Sequence, residues 1–552
     1  MTTAEHASAI AALIKGEVIT DELTLKKYSV DTSIFEVMPA MVVRPRNTDD
    51  VLALVRYASD HAGEVSLTAR SAGTDMSGGP LTSSIVVDFL AHFDEIKEVT
   101  STYAVTQPGV FYRDFEPKTL AQGALLPSYT ASRELNTVGG MVANNSAGEK
   151  SLTFGKTERY VKALRVVLSD GNEYTFKKLA RSEWEDKKQQ SNFEGALYRS
   201  IDSIITAHRK VINRERPTVN KNSAGYSIWN VHNEADDTFD MTQLIVGSQG
   251  TLGLITEITF SLVAPRPESR MAVMFLRAKH LPKLGAIINR VLKERPESFE
   301  SYDDKTFNVM LKVFPKLFMR LGGNPLKLAR DFWPEMKLVM TGGIPKLVLM
   351  AEFTGTEEKE VVARATAAAA ALKNEFGLST RVTRDAAEAN KFWLIRRESF
   401  KLLRENVKGT HTAPFIDDIS VEPKYLPEFL PKLYKILDEY DLIYTVAGHV
   451  GDGNFHIIPL MDFSRPDFTK IIHELSERVY TLVGEYHGSI TGEHNDGIIR
   501  TPYLHKMFSS EMLDIFTKIK DAFDPRRIFN PHKKVDPSRE LLENSIRRTT
   551  PD

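Results

Sequence analysis

Two histidines on either side of a turn are the residues whose types and spacing most directly suggest chemistry. Tyr444-Thr445-Val446-Ala447-Gly448-His449-Val450-Gly451-Asp452-Gly453-Asn454-Phe455-His456-Ile457-Ile458 is a pair of apolar runs around Asp-Gly, a strong hairpin signal. With Asp452-Gly453 as the turn, His449 faces His456. Directly opposed residues hold their Cβ atoms roughly 4.5–5.5 Å apart, so both imidazoles reach one divalent ion from the same face of the sheet. Two histidines that meet with no ligand between them are the plain alternative. A third ligand and a base are available in Gly492-Glu493-His494-Asn495-Asp496-Gly497, where an extended backbone sends Glu493 toward an ion and His494 toward a substrate. Nitrogen and oxygen donors of this kind accept Zn, Mn or Fe.

Three small-residue segments could hold a larger ligand. Arg70-Ser71-Ala72-Gly73-Thr74-Asp75-Met76-Ser77-Gly78-Gly79 follows a strand pattern, and its glycines allow N–H groups to turn inward as a nest for a diphosphate. It is not the dinucleotide fingerprint, because no G-x-G-x-x-G opens a helix there. Leu135 to Gly148, with Asn136, Thr137, Gly139, Gly140, Asn144, Asn145 and Ser146, is apolar yet full of small residues and amides, as a slot for a flat cofactor requires. Gly247 to Thr256 has the same character. A ligand-free turn and a tightly packed helix are the ordinary readings of such segments. Gly155-Lys156-Thr157 resembles the end of a Walker A loop, but six residues rather than four separate Gly155 from Gly148, so a nucleotide triphosphate site is not expected.

Elements that position these residues change character near Val263-Ala264-Pro265-Arg266-Pro267. Before it, short β-branched runs (Val65 to Ala69, Ile85 to Asp88) alternate with helical patterns such as the one that Thr48-Asp49-Asp50 caps, and Leu164 to Leu168 pairs with Glu173 to Phe176 across Asp170-Gly171. After it, helices near Leu281 to Glu294, Glu357 to Asn374, Lys424 to Glu439, Phe468 to Glu485 and Glu511 to Phe523 accompany strands near Leu347 to Phe353 and Tyr444 to His449. An α+β fold follows, with an antiparallel sheet and helices on one face in the second half.

The chain has 552 residues and no cysteine, which excludes disulfides, thiolate metal sites, Cys-ligated clusters and cysteinyl cofactor bonds. With 71 Lys+Arg against 73 Asp+Glu the net charge is -2, so nothing global favours nucleic acid as partner. Neither a secretory signal nor an uncharged apolar run of membrane-spanning length is present, and a cytoplasmic protein is expected.

In order along the chain, the RSAGTDMSGG loop, NTVGGMVANNSAG with FGKT and a VLSDG hairpin, Lys221-Asn222-Ser223-Ala224-Gly225-Tyr226, and VGSQGTLGLITE resemble the flavin-binding domain of the vanillyl-alcohol oxidase / p-cresol methylhydroxylase superfamily. Beyond residue 267, Phe392-Trp393-Leu394-Ile395-Arg396-Arg397 and the histidine motifs resemble its D-lactate dehydrogenase, D-2-hydroxyglutarate dehydrogenase and glycolate oxidase large-subunit branch. The resemblance implies a two-part FAD-binding domain over 38–267, an N-terminal helical extension over 1–37, a substrate or cap domain over 268–490, and a 491–552 segment returning to the flavin. It implies FAD, its diphosphate on Arg70, Ser71, Ala72, Gly73, Thr74, Asp75, Met76 and Ser77 and its isoalloxazine along Thr137, Val138, Gly140, Met141, Asn144, Asn145 and Gly148, with Pro127, Gly250, Ile255 and Asn530 also contributing. With no histidine in the first loop and no cysteine, the flavin is expected to be noncovalent. The resemblance further implies His449, His456 and Glu493 as metal ligands, His494 as general base and Arg396 as the arginine that binds the substrate carboxylate.

The reaction so implied is oxidation of a D-2-hydroxy acid to the 2-oxo acid. Where the 2-hydroxyglutarate enzymes carry a lysine this chain has Ile416, and Ile458 replaces a polar residue, so a monocarboxylate such as D-lactate is favoured over a dicarboxylate. Electrons must pass to a quinone, a cytochrome or an electron-transfer flavoprotein. Between Asn308 and Lys346 seven basic residues stand against two acidic ones among Phe314, Phe318, Phe332 and Trp333, a composition that suits peripheral contact at the inner face of a membrane as well as a solvated cap helix. A homodimer is compatible with the sequence. Alternatives are the flavin subunit of a glycolate oxidase complex, a D-2-hydroxyglutarate dehydrogenase-like enzyme, a redox-neutral alkylglycerone-phosphate synthase, which lacks the histidine hairpin, and a non-catalytic flavin binder, which would be expected to have lost a ligand or the base.

Overall fold

The chain forms two units and passes from the first to the second at Pro265, where the sequence changes character. The computed structural model describes residues 1–304, 343–386, 388–390, 392, 393, 396 and 410–548. The basic and apolar stretch lies outside the described residues from 308 to 342, as do Leu394, Ile395 and Arg397 of the FWLIRR motif. The first unit is Met1–Gly148, Gly155–Pro265 and Ser489–Arg547, and the second is Glu149–Phe154 with Arg266–Gly488.

In the first unit Met41–Arg44, Ile85–Asp88 and Leu67–Arg70 pair in parallel, with Glu17–Ile19 antiparallel at the edge. Parallel strands are buried on both faces, which is why they read as unbroken apolar runs. The helix Thr48–Asp60 lays Val51, Leu54, Val55 and Ala58 into the same core at helical spacing. Its cap is Asn47, whose side chain accepts from the Asp50 N–H at 3.1 Å, one residue before the start read from the sequence. A seven-stranded antiparallel sheet follows, with Leu254–Ser261 between Tyr103–Thr106 and Val161–Val167. The Asp170-Gly171 hairpin forms with Val167 opposite Glu173.

The chain returns to this unit at Ser489, so the helix Ser510–Phe523 belongs here and not with the second half. Ile528 and Phe529 enter the core of the parallel sheet, and the Asn530 N–H donates to the Leu67 carbonyl at 2.9 Å. Lys520, fully buried, donates to the carbonyls of Thr251 (2.6 Å) and Phe529 (2.7 Å) and to Asp524 (2.6 Å). Burial brings its amine down to about 8.

The second unit is one antiparallel sheet in the order Ser379–Val382, Glu268–Leu276, Leu347–Gly355, Ser298–Asp303, Ile443–His449, Asn454–Met461, His411–Thr412, with Ile419–Ser420 also paired to Asn454–Met461. The helix Glu358–Phe376 lies on the face that carries Phe353, where Arg364 stacks over the ring at 5.5 Å. Met271, Val273 and Met350 point to the opposite face and meet Phe392 and Trp393, so part of that face is covered too. No helix among the described residues is long and apolar enough to cross a membrane.

Asp524→Ala removes the counter-ion of a buried ammonium together with the acceptor for the Ile528 and Phe529 N–H groups. A loss of about 3–5 kcal/mol is expected. Thermal unfolding should show the single variant melting well below both wild type and the Lys520→Met/Asp524→Ala double variant.

Candidate functional site

Loops from three parts of the first unit, and the helix Val138–Asn144, enclose a cavity of about 420 Å³. Cofactor sites typically run from about 300 to 1,000 Å³. The helix can sit against the loop before it because residue 139 is glycine: a Cβ there would come within 2.5 Å of the Pro108 carbonyl oxygen. Thr137 caps the helix, its Oγ1 accepting from the Gly140 N–H at 3.2 Å and donating to Ser71 Oγ at 2.7 Å, which joins helix to loop. Gly73, at φ +69°, makes the loop's turn where a side chain would strike the Arg70 guanidinium. The small residues Gly73, Gly139, Gly140, Ala143 and Gly250, with polar side chains between them, fit a flat cofactor with a charged tail.

Of the expected cofactor residues, Arg70, Ser71, Gly73, Thr74, Asp75, Met76, Gly140, Met141, Asn144, Gly250 and Ile255 line this cavity. Ala72, Ser77, Pro127, Thr137, Val138, Asn145, Gly148 and Asn530 do not, and several of them hold the wall from behind. Asn530 Nδ2 donates to the carbonyls of Gly79 (2.9 Å) and Gln249 (2.7 Å), while Asn145, left-handed at φ 49°, ends the helix. The anion nest expected of the whole Arg70–Gly79 loop is partly taken from within. The Asp75 carboxylate accepts from the Ser77 N–H, Ser77 Oγ and Gly79 N–H, and its other oxygen accepts from Asn144 Nδ2 at 2.7 Å. Gln249, Thr32 and the turn Thr130–Ser132 also line the cavity and were not read from the sequence. Beside the loop, burial and then the neighbouring Asp75 charge push the Asp31 carboxyl up to about 7.

Glu493 and His494 line the same cavity. Their segment is not the extended strand expected: Asn495 is left-handed at φ 71°, its Nδ2 donates to the carbonyls of Asn144 (3.2 Å) and Gly247 (2.8 Å), and the Gly497 N–H donates to Gln249 Oε1 at 2.8 Å. Glu493 is buried, with Oε1 3.8 Å from His494 Nε2.

His449 and His456 belong to the second unit. They do not face each other as the two-residue turn required. Val450, Gly451, Asp452 and Gly453 form a four-residue connection, Gly453 is left-handed at φ 69°, and the register pairs His449 with Asn454 and Ala447 with His456. The histidines are therefore diagonal neighbours on one face, their ring centroids 5.3 Å apart and nearly perpendicular. Each is backed by a buried carboxylate that sequence reading missed. His449 Nδ1 pairs with Glu300 Oε1 at 2.5 Å and His456 Nδ1 with Asp417 Oδ1 at 3.1 Å. Glu300 Oε2 lies 3.4 Å from Arg396 Nε. The available signal was an acid in the wholly buried strand Ser298–Asp303. A carboxylate on Nδ1 fixes the tautomer, turns Nε2 into the ligating nitrogen and makes it more basic, so the pair fits a divalent ion by the chemistry of its donors.

Comparison with known proteins matches the FAD binding domain to residues 39–177 and the C-terminal domain of FAD linked oxidases to residues 267–534. The chain belongs to the FAD-linked oxidases. It is 26% identical over 539 residues, 95% of this chain and 50% of the relative, to a D-2-hydroxyglutarate dehydrogenase of Pantoea ananatis, so it spans about half the length of that curated relative. With a D-lactate dehydrogenase of Archaeoglobus fulgidus it shares 24% identity over 497 residues, 90% of this chain and 91% of the relative. The 4-ethylphenol oxidase of Gulosibacter chungangensis has the same fold at a TM-score of 0.68 and 15% identity, with 98% of each chain covered.

Asp31 binds its proton more tightly folded than unfolded, so the folded state loses stability as pH rises from about 4 to about 7. Asp31→Asn should flatten that loss, raising stability at pH 8 relative to pH 5 by about 1–3 kcal/mol against wild type, read from melting temperatures at the two pH values. Glu300→Gln should lower substrate-driven flavin reduction about 10–100-fold with FAD retained, checked by stopped-flow absorbance.

Proposed function

We propose that the protein oxidises a D-2-hydroxy acid to the 2-oxo acid, with D-lactate or a similar monocarboxylate favoured. The observation that carries this reading is Glu300, one buried carboxylate that backs both a histidine of the His449/His456 pair and Arg396. Bound FAD, noncovalent in a chain without cysteine, supplies the hydride acceptor, and a divalent ion on His449, His456 and Glu493 supplies a Lewis acid for the α-hydroxyl. His494 takes the hydroxyl proton as general base. Arg396 offers a planar fork to the substrate carboxylate, and Glu300 fixes the guanidinium in place. Ile416 and Ile458 are both buried, and a second carboxylate set beside them would lose its water without gaining a partner.

Similarity to the Pantoea ananatis enzyme supports a second reading, in which the substrate is a dicarboxylate such as D-2-hydroxyglutarate. Under either reading a quinone, a cytochrome or an electron-transfer flavoprotein collects the electrons. The basic, aromatic composition of 308–346 supports an acceptor met at a membrane face.

Anaerobic titration of the flavin's visible band with D- and L-lactate, glycolate and D-2-hydroxyglutarate decides among these. Bleaching by D-lactate, abolished by chelator and slowed about 10²–10⁴-fold in His494→Ala, is expected. Bleaching by D-2-hydroxyglutarate alone establishes the second reading, and a flavin that none of the acids bleaches rules out both.

A further inference from the structure

The Lys221-Asn222-Ser223-Ala224-Gly225-Tyr226 motif has so far been given no task. In the structure it runs against the segment that carries Glu493 and His494, within the first unit. The Ser223 N–H donates to the Thr491 carbonyl at 2.9 Å and the Gly225 N–H to Asp496 Oδ2 at 2.9 Å, so the motif brackets Glu493 on both sides. Buried ammonium groups complete the join. Lys156 Nζ donates to the Gly492 carbonyl at 2.7 Å, and Lys534 Nζ donates to Asp496 Oδ2 at 2.9 Å and to the carbonyls of Ser223 and Gly225 at 2.8 Å each. Lys221, 1% exposed, donates to Glu493 Oε2 at 2.9 Å.

A glutamate side chain has three rotatable bonds, and a ligand role requires one of its oxygens in a fixed direction. Lys156 holds the Gly492 carbonyl on one side and Lys534 the Asp496 carboxylate on the other, while Lys221 holds the Glu493 carboxylate itself. With Oε2 tied to a buried cation, the side chain cannot rotate without breaking a buried ion pair, which is costly. Oε1 is then the oxygen turned to the His494 side, 3.8 Å from Nε2.

We propose that Lys221 is a positioning residue: by binding Glu493 Oε2 it presents Oε1 as a single, oriented ligand for the divalent ion, and the Lys221–Tyr226 motif is the cradle that fixes this geometry. The inference rests on the metal reading given under Proposed function. It goes beyond that reading by placing the control of the carboxylate ligand on a residue outside the cavity lining.

The test is Mn²⁺ binding, measured by electron paramagnetic resonance on chelator-stripped, FAD-loaded protein, with FAD content and melting temperature recorded for each variant. Lys221→Met should weaken Mn²⁺ binding about 10-fold or more with FAD retained, the size expected when an outer partner of a ligand is lost, and Lys221→Arg should recover part of it. In a Glu493→Gln background, Lys221→Met should add nothing, because the partner through which it acts is gone. That double variant leaves no unpaired buried charge from this pair, so it remains measurable where Lys221→Met alone unfolds. Mn²⁺ affinity within twofold of wild type in Lys221→Met, a further loss in the Glu493→Gln background, or loss of FAD along with the metal each overturns the assignment. If wild type binds no Mn²⁺, the metal reading fails and the assignment fails with it. A wild type that binds beside an unaffected Lys221→Met removes the Lys221 assignment alone.

Discussion

Backbone that bends around a cofactor leaves carbonyl oxygens buried without helix or sheet partners, and each must be satisfied from elsewhere. This constraint organises the first unit. Its cofactor loops come from the first half of the sequence, but many of the donors that satisfy them come from residues 495–534. Lys520 holds Thr251, Asn530 holds Gly79 and Gln249, Lys533 holds Leu81, and Lys534 holds Ser223 and Gly225. Lysine suits the task because one ammonium offers three donors to a curved surface. Burial lowers the Lys533 amine to about 7, so part of its charge is given up for the sake of the contact.

The second unit uses buried carboxylates for a different task. Glu300, in the strand Ser298–Asp303, and Asp417, just before the strand Ile419–Ser420, are both buried, and each pairs with a histidine. Glu300 also lies against Arg396, so one side chain meets both an imidazole and a guanidinium. Both units thus use buried charge for orientation, where a hydrophobic contact of equal volume would pack as well but point nothing.

Much of this fold was legible. Apolar spacing marked the helices Phe468–Glu485 and Ser510–Phe523, and Asp170-Gly171 marked its hairpin, although Val167 opposite Glu173 leaves a connection longer than a two-residue turn. The Asp452-Gly453 hairpin was found as an element and misread in register. Its connection has four residues, and nothing local distinguishes a two-residue turn from the last two positions of a longer loop. Asp75, Glu300 and Lys221 were illegible as partners because their roles lie in contacts with residues 144, 449 and 493, and single-sequence patterns carry no information on pairings that distant.

The bond from Thr68 to Asn530 joins positions 462 residues apart. The parallel sheet that starts the flavin unit is thus finished by a segment synthesised 462 residues later. Long-range closures of this kind slow folding, since loop entropy must be given up before the contact returns it. On the ribosome the loops therefore lack these partners until residue 534 has emerged, so flavin capture waits on a segment far along the chain from the loops that hold it.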